Sequence, residues 1–350
     1  MSLRRYPAVF FSLVWLASAS QAQLLLEPPL HGLVLEGIDL TLNQQYEKAD
    51  SLFRHVVREF PESPVGFVYR AGVFQARNIE SKLAMDDPGF DSLLVQARES
   101  SERMIRKRPD DPWGYFFLGT TFGYDAYARV YRGDWLGGTM KGISSVREFR
   151  KAVERDSSLF DAYVGIGTYT YWRSRKTEFL HWLPFVPDER EAGMAFVWKT
   201  VQSGVYNRYT AISVLASMEL DAGRGSRSKE LAGAGVERYP QNRTFLWVLG
   251  EADMKLGDYS DAMRTYGRLL SVLKDGNESN VYNEMVCLLN LARAHAGIGD
   301  SSSAMLRAQQ AVTIADHGFP AHLTDRGREK ANEARRIVEL FSRATALSKE

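Results

Sequence analysis

Two groups of side chains are equipped for recognition chemistry. One is Trp113, Phe116, Tyr124 and Tyr127; the other is Tyr171, Trp172, Arg173, Arg175 and Lys176. Aromatic faces stack on rings and sugars, and a neighbouring guanidinium can fork a carboxylate, so such groups suit a peptide or a small organic ligand. The opposing reading is that aromatics at helical spacing pack helices against each other. Reaction chemistry has fewer carriers. Gly165-Ile166-Gly167 lacks the third glycine of a dinucleotide loop, and no Gly-Lys-Ser/Thr follows a strand. Neither His-Glu-x-x-His nor Gly-x-Ser-x-Gly occurs. Of the six histidines only His317 and His322 lie close, beside Asp316, and no third ligand completes a metal centre. Asp188, Glu189 and Glu191 form a carboxylate cluster, but Asp188 with Glu191 three residues on reads as a helix capping box. Cys287, set among Met285, Val286, Leu288 and Leu289, reads as a small buried hydrophobe. No catalytic residue, metal or cofactor is expected.

The elements that must position these groups are set by a repeat. Between Ile212 and Leu273, Leu215-Ala216 return as Leu249-Gly250, Gly223 as Gly257 and Ser228 as Ala262, all at an interval of 34 residues. Within each repeat small residues stand twelve apart: Gly37 and Ala49, Ala216 and Ser228, Gly250 and Ala262, Ala292 and Ala304. A small residue on each of two facing helices lets their axes approach closely. An aromatic follows the second small residue by four positions in Phe53 and Tyr266, and an aromatic-proline pair closes repeats at Phe60-Pro61 and Tyr239-Pro240. In these features the chain resembles the tetratricopeptide repeat (TPR) family. The resemblance implies an all-α, right-handed solenoid of about seven antiparallel helix hairpins with a C-terminal capping helix, and protein or peptide partners.

The middle of the chain departs from the twelve-residue spacing. Gly72 to Ala97 is 25 residues, Gly119 to Ser145 is 26 and Gly167 to Ala192 is 25. Three consecutive hairpins thus carry about thirteen extra residues between their helices, expected to stack along one edge. Helix starts are signalled at Ser63-Pro64, at Asp111-Pro112, and at Ser158 with Asp161. The expected organisation is a signal peptide at 1–22, a first hairpin at 23–63, expanded hairpins at 64–205, regular hairpins at 206–318 and a capping helix at 319–350.

Arg4-Arg5, the apolar run Ala8–Ala17 and small residues through Ala22 carry the export reading. One cysteine permits no intrachain disulfide, and none stands at the cleavage position to take a lipid, so a periplasmic or secreted location without a lipid anchor is expected. Net charge is +1 and no dense Lys/Arg run occurs, which argues against nucleic acid or an anionic membrane surface as partner. The apolar segment Phe179–Val186 is a possible membrane contact, but packing on its own solenoid is the favoured expectation. The resulting reading is a non-catalytic binding scaffold of the bacterial envelope with specificity in 64–205. Its rivals are a receptor for a small ligand or glycan, or an enzyme, using a pocket between the insertions, and a peripheral membrane protein. A deep cavity lined by Trp113, Tyr171, Trp172 and Arg173 would favour the first rival.

Overall fold

Helix starts in this chain are written in short polar side chains. Asp87, Asp111, Asp134, Asn242 and Asp300 each accept a hydrogen bond from a backbone N–H in the first turn of the helix that follows. Hairpin turns are written in glycine: Gly223, Gly257 and Gly299 have φ of +85°, +76° and +79°, a left-handed conformation that only glycine adopts without strain. The computed structural model describes residues 24–182, 186–275 and 281–347, so the expected signal peptide and Leu183, Pro184 and Phe185 of the apolar segment lie outside them.

The described residues form helices and no strands. Seven hairpins follow one another: α1 (Leu30–Leu42) with α2 (Tyr46–Glu59), α3 (Val65–Ser81) with α4 (Pro88–Lys107), and α5 (Pro112–Tyr131) with α6 (Trp135–Arg155). Then come α7 (Tyr163–Lys176) with α8 (Arg190–Ser203), α9 (Arg208–Asp221) with α10 (Gly225–Arg238), α11 (Arg243–Leu256) with α12 (Tyr259–Asp275), and α13 (Val281–Gly297) with α14 (Ser301–Asp316). Helix α15 (Thr324–Leu347) packs on the last pair and closes the array. None of the described helices is long and apolar enough to cross a membrane.

All four pairs of small residues at twelve-residue spacing are buried where their helices meet. A Cβ on Gly250 would fall 2.7 Å from the Tyr266 ring, so the aromatic that follows the second small residue fills the space the first one leaves. At the α7–α8 crossing the backbones themselves touch, and a Cβ on Gly167 would sit 2.4 Å from the carbonyl oxygen of Gly193. Gly167 therefore pairs with Gly193, one residue beyond the expected Ala192, which is exposed.

The extra residues of the expanded hairpins take three different forms. In α5–α6 they lengthen both helices, to 20 and 21 residues, around a three-residue turn. In α3–α4 they lengthen the helices and add a short link, and in α7–α8 they make a long connection with a 3-10 turn at Glu178–Leu180. Lengthening a helix satisfies its backbone internally, which an extended insertion cannot do.

The array curves until its first two hairpins meet the fifth to seventh. Asp39 accepts from Arg238 and Tyr239 at 3.0 and 3.2 Å, and Asn242 donates to Leu42 O at 2.8 Å. Further along the seam, Thr244 donates to the Glu80 carboxylate at 3.0 Å, Asn283 to Glu80 O at 2.7 Å, and the His322 ring lies 2.7 Å from Lys82 O. The lead-in to α1 meets the link between α8 and α9: Leu26 N–H donates to the Tyr206 hydroxyl at 2.9 Å, and His31 Nδ1 is 2.7 Å from the same oxygen.

Candidate partner-binding site

The lead-in decides the fate of the first aromatic group. Trp113 and Phe116 are buried in one core with Leu26, Val34 and Tyr206, and Tyr206 meets the Trp113 ring edge-on at 5.5 Å. Tyr124 packs over Gly72, where a Cβ would lie 2.7 Å from its hydroxyl, and burial pushes its pKa up to about 12. Tyr127 is partly exposed at the end of α5, its ring stacked on Tyr131 at 6.2 Å.

The second group ties hairpins together. Tyr171 is fully buried and its hydroxyl donates to Asp221 at 2.7 Å, while Met218 O lies 3.0 Å away. Burial, with the Asp221 carboxylate second, raises its pKa well above the phenol range. Arg175 donates to the same Asp221 at 3.0 Å and pairs with Glu178. Trp172 is half-buried against the Tyr171 ring, Arg173 pairs with Glu189, and Lys176 lies 5.1 Å over the Trp135 ring. Trp113 belongs to one core, Tyr171 and Trp172 to another, so the four residues expected of an enzyme-like pocket do not line a common cavity.

The remaining carboxylate and thiol candidates are structural. Asp188 accepts from Arg190 N–H and from the Arg190 guanidinium, which holds its pKa far below the carboxylate range. Helix α8 starts at Arg190 with Glu189 at its N-cap and no side-chain capping bond, and Glu191 pairs with Arg224 at 2.8 Å, so the expected capping box does not form. Asp161 starts no helix of its own: it accepts from the backbone N–H groups of Val205, Tyr206 and Asn207 and so caps the approach to α9. Burial raises its pKa to about 6 against those donors. Cys287 is buried, its Sγ 3.1 Å from Tyr266 O, and burial raises the thiol pKa well above its ordinary value. Asp253, Asp258 and Asp261 converge, and the Lys229 ammonium stands among them at 2.8, 2.6 and 2.8 Å.

Sequence reading missed the place where the array opens. A groove of about 640 Å³ runs between α2 and α4, with α3 as its floor. The floor residues Arg70, Val73, Phe74 and Arg77 recur at i, i+3, i+4 and i+7, one face of a helix. Phe74 stacks on Phe90 at 4.6 Å and supplies an apolar base, and Leu93 lies beside it. The walls are charged: Asp50 is held by Arg70 at 2.8 Å and by Arg54, and Glu47 stands 4.0 Å from Arg77. A volume of this size takes several side chains of an extended segment, with apolar groups on the base and charged groups on the rim. The only signal in the sequence was the widened interval from Gly72 to Ala97, which moves α4 away from α2 without saying what lines the gap.

A solenoid of helical hairpins packed through paired small residues, closed by a terminal helix, is the tetratricopeptide-repeat architecture. No family model matches the sequence, and no curated protein matches it. Among solved structures the fold is similar to that of the APC/C hetero-tetramer Cut9–Hcn1, at 11% identity and a TM-score of 0.54 over 88% of this chain and 55% of that one. It is also similar to TTC0263, a thermophilic TPR protein of Thermus thermophilus (16% identity, TM-score 0.42, 64% of this chain and 99% of that one). A third likeness is to PilW, a type IV pilus biogenesis factor (17% identity, TM-score 0.47, 71% and 97%). At these identities the likeness is one of fold.

Proposed function

We propose that this protein is a non-catalytic, protein- or peptide-binding scaffold of the bacterial cell envelope, exported by its N-terminal segment, with specificity carried by the expanded block. The observation that carries the reading is the groove over α3. It is large, lined by an apolar base and charged walls, and held by helices ordered before any partner arrives. Preorganisation of this kind means that only the ligand loses conformational freedom on binding. The export reading rests on Arg4-Arg5, the apolar run to Ala17 and the small residues to Ala22.

The groove can be closed from its rim. Gln96 is exposed on α4 and lines the groove, so Gln96→Trp should fill it, and Arg54→Glu should invert the charge of one wall, with the unfolding midpoint little changed in either. Affinity capture from native envelope extract should then return a specific protein with the wild type and lose it with both variants. Capture of the same proteins by all three chains would sink the assignment of this groove.

A further inference from the structure

The largest anomaly of the surface is at the tip of the third and fourth hairpins. Leu136, Met140, Ile143, Phe179 and Trp182 leave between 49% and 78% of their surface exposed, and Trp135 stands beside them. The favoured expectation that the segment after Phe179 packs on its own solenoid is thus overturned for Phe179 and Trp182. The two apolar clusters sit on neighbouring elements of one edge: the Lys176 ammonium lies over the Trp135 ring, and Gly142 of α6 faces Tyr169 of α7. The α2–α4 groove includes none of these residues; they lie at and near helix ends. Anchors for a protein partner usually work in concave, desolvated pockets.

Charge follows the same geometry. Leu136, Met140, Ile143 and Arg147 recur at i, i+4, i+7 and i+11 along one face of α6, with exposed Arg150 beyond. The apolar part of that face is roughly 10 Å deep and Arg147 lies roughly 6 Å behind it, given the rise of a helix. On the neighbouring strip Arg173 and Lys176 precede Phe179 and Trp182 in the same order, cations toward the body and apolar groups at the tip. The stretches 135–151 and 173–182 together carry seven basic and two acidic residues in a chain whose net charge is +1. The carboxylates of this edge are engaged: Asp134 with Arg129, Glu148 with Arg147 and Lys151, Glu178 with Arg175 and Arg190, Asp188 with Arg190, and Glu189 with Arg173. Among the described residues Arg150 and Lys176 have no ion pair. An apolar tip about 10 Å deep below a collar of cations matches the depth at which interfacial elements seat in a bilayer, with Trp at headgroup level and Lys and Arg on anionic lipid.

We propose that this tip is a membrane-surface contact, seating Leu136, Met140, Phe179 and Trp182 at the headgroup–acyl boundary of an anionic bilayer, with Arg147 and Lys176 on its phosphates. The α2–α4 groove takes no part in this contact, so the two assignments stand or fall separately.

The test is flotation of the full chain with vesicles of mixed phosphatidylglycerol and phosphatidylcholine, against phosphatidylcholine alone, at low and high salt. All variants are built in the same chain, so that any contribution from Ala8–Ala17 cancels between them. The wild type should float with the anionic vesicles and less so at high salt. Phe179→Ser/Trp182→Ser should lower the bound fraction at least roughly tenfold, and Arg147→Gln/Lys176→Gln should lower anionic binding by roughly tenfold. Both double variants should unfold near the wild-type midpoint, because all four side chains are exposed and buried Glu148, the ion-pair partner of Arg147, keeps its second pair with Lys151 at 3.0 Å. A wild type that stays in the load, or variants that float as the wild type does, would overturn the proposal. So would loss of a captured protein from the Phe179→Ser/Trp182→Ser variant with lipid binding intact, which would make the tip a protein-docking face.

Discussion

The regular hairpins α9–α12 and the expanded hairpins α3–α8 are built on the same rule and spend their apolar side chains differently. Of the fourteen exposed large hydrophobics among the described residues, nine lie in the expanded block and one, Leu256, in the regular pair. In the regular pair each side chain that the twelve-residue rule places inward meets a neighbour, and the hairpin has no length left over. In the expanded block the helices run past their neighbours, so their ends have nothing of their own chain to pack on. The comparison teaches that regularity marks the part of a solenoid that holds itself together, and surplus length marks the part that can hold something else.

The largest effect expected from breaking the contrast is inside the regular pair. Lys229 bridges α10 to Asp253 on α11 and to Asp258 and Asp261 at the start of α12. Burial works against its charge, but the three carboxylates outweigh it and raise its pKa. Asp253 is buried, so Lys229→Met leaves a buried carboxylate without its cation and should cost about 3 kcal/mol in urea unfolding. A loss below about 0.5 kcal/mol would mean that the regular region does not depend on its inter-hairpin ion cluster.

An intermediate effect is expected within the expanded block, and it depends on pH. The folded pKa of Asp161 is raised to about 6 by burial, above its ordinary value of 3.8. The folded state therefore binds the proton more tightly than the unfolded state does. The stability this group contributes is fully present below its ordinary pKa and is lost as pH rises through about 6. Moving from neutral pH to about pH 5 should raise the unfolding midpoint of the wild type more than that of Asp161→Asn. Equal shifts in the two chains would show that Asp161 does not titrate in the folded state.

The smallest effect sharpens the comparison from the other side. At the tip, Phe179→Ser/Trp182→Ser should change folding stability by no more than about 0.5 kcal/mol, since no core loses a member. A larger loss would mean that these rings pack in solution and that the tip belongs with the regular hairpins after all.

Much of the architecture was legible in the residues. Gly250 and Ala262, and Ala292 and Ala304, mark helix contacts because close approach of two axes depends on side-chain size at a fixed spacing, a local property. Asp111-Pro112 marks a helix start for a similarly local reason. The site was less legible. Tyr171 and Trp172 are neighbours in sequence on a helix whose aromatic content suited recognition, yet Tyr171 is fully buried through a bond to Asp221, fifty residues on. Nothing in the spacing of Arg70, Val73, Phe74 and Arg77 distinguishes a groove floor from a face covered by the next helix.

The sequence by itself determined the unit: small residues twelve apart, an aromatic to fill the gap, a capped start and a glycine turn, all fixed by contacts within one hairpin or between two successive ones. Only the tertiary structure decided how the units add up. A small rotation per hairpin accumulates until Glu80 meets Thr244 and Lys82 meets His322, residues 164 and 240 positions apart, while the lead-in is carried over Trp113. Such contacts depend on the sum of many small angles, which no local pattern encodes.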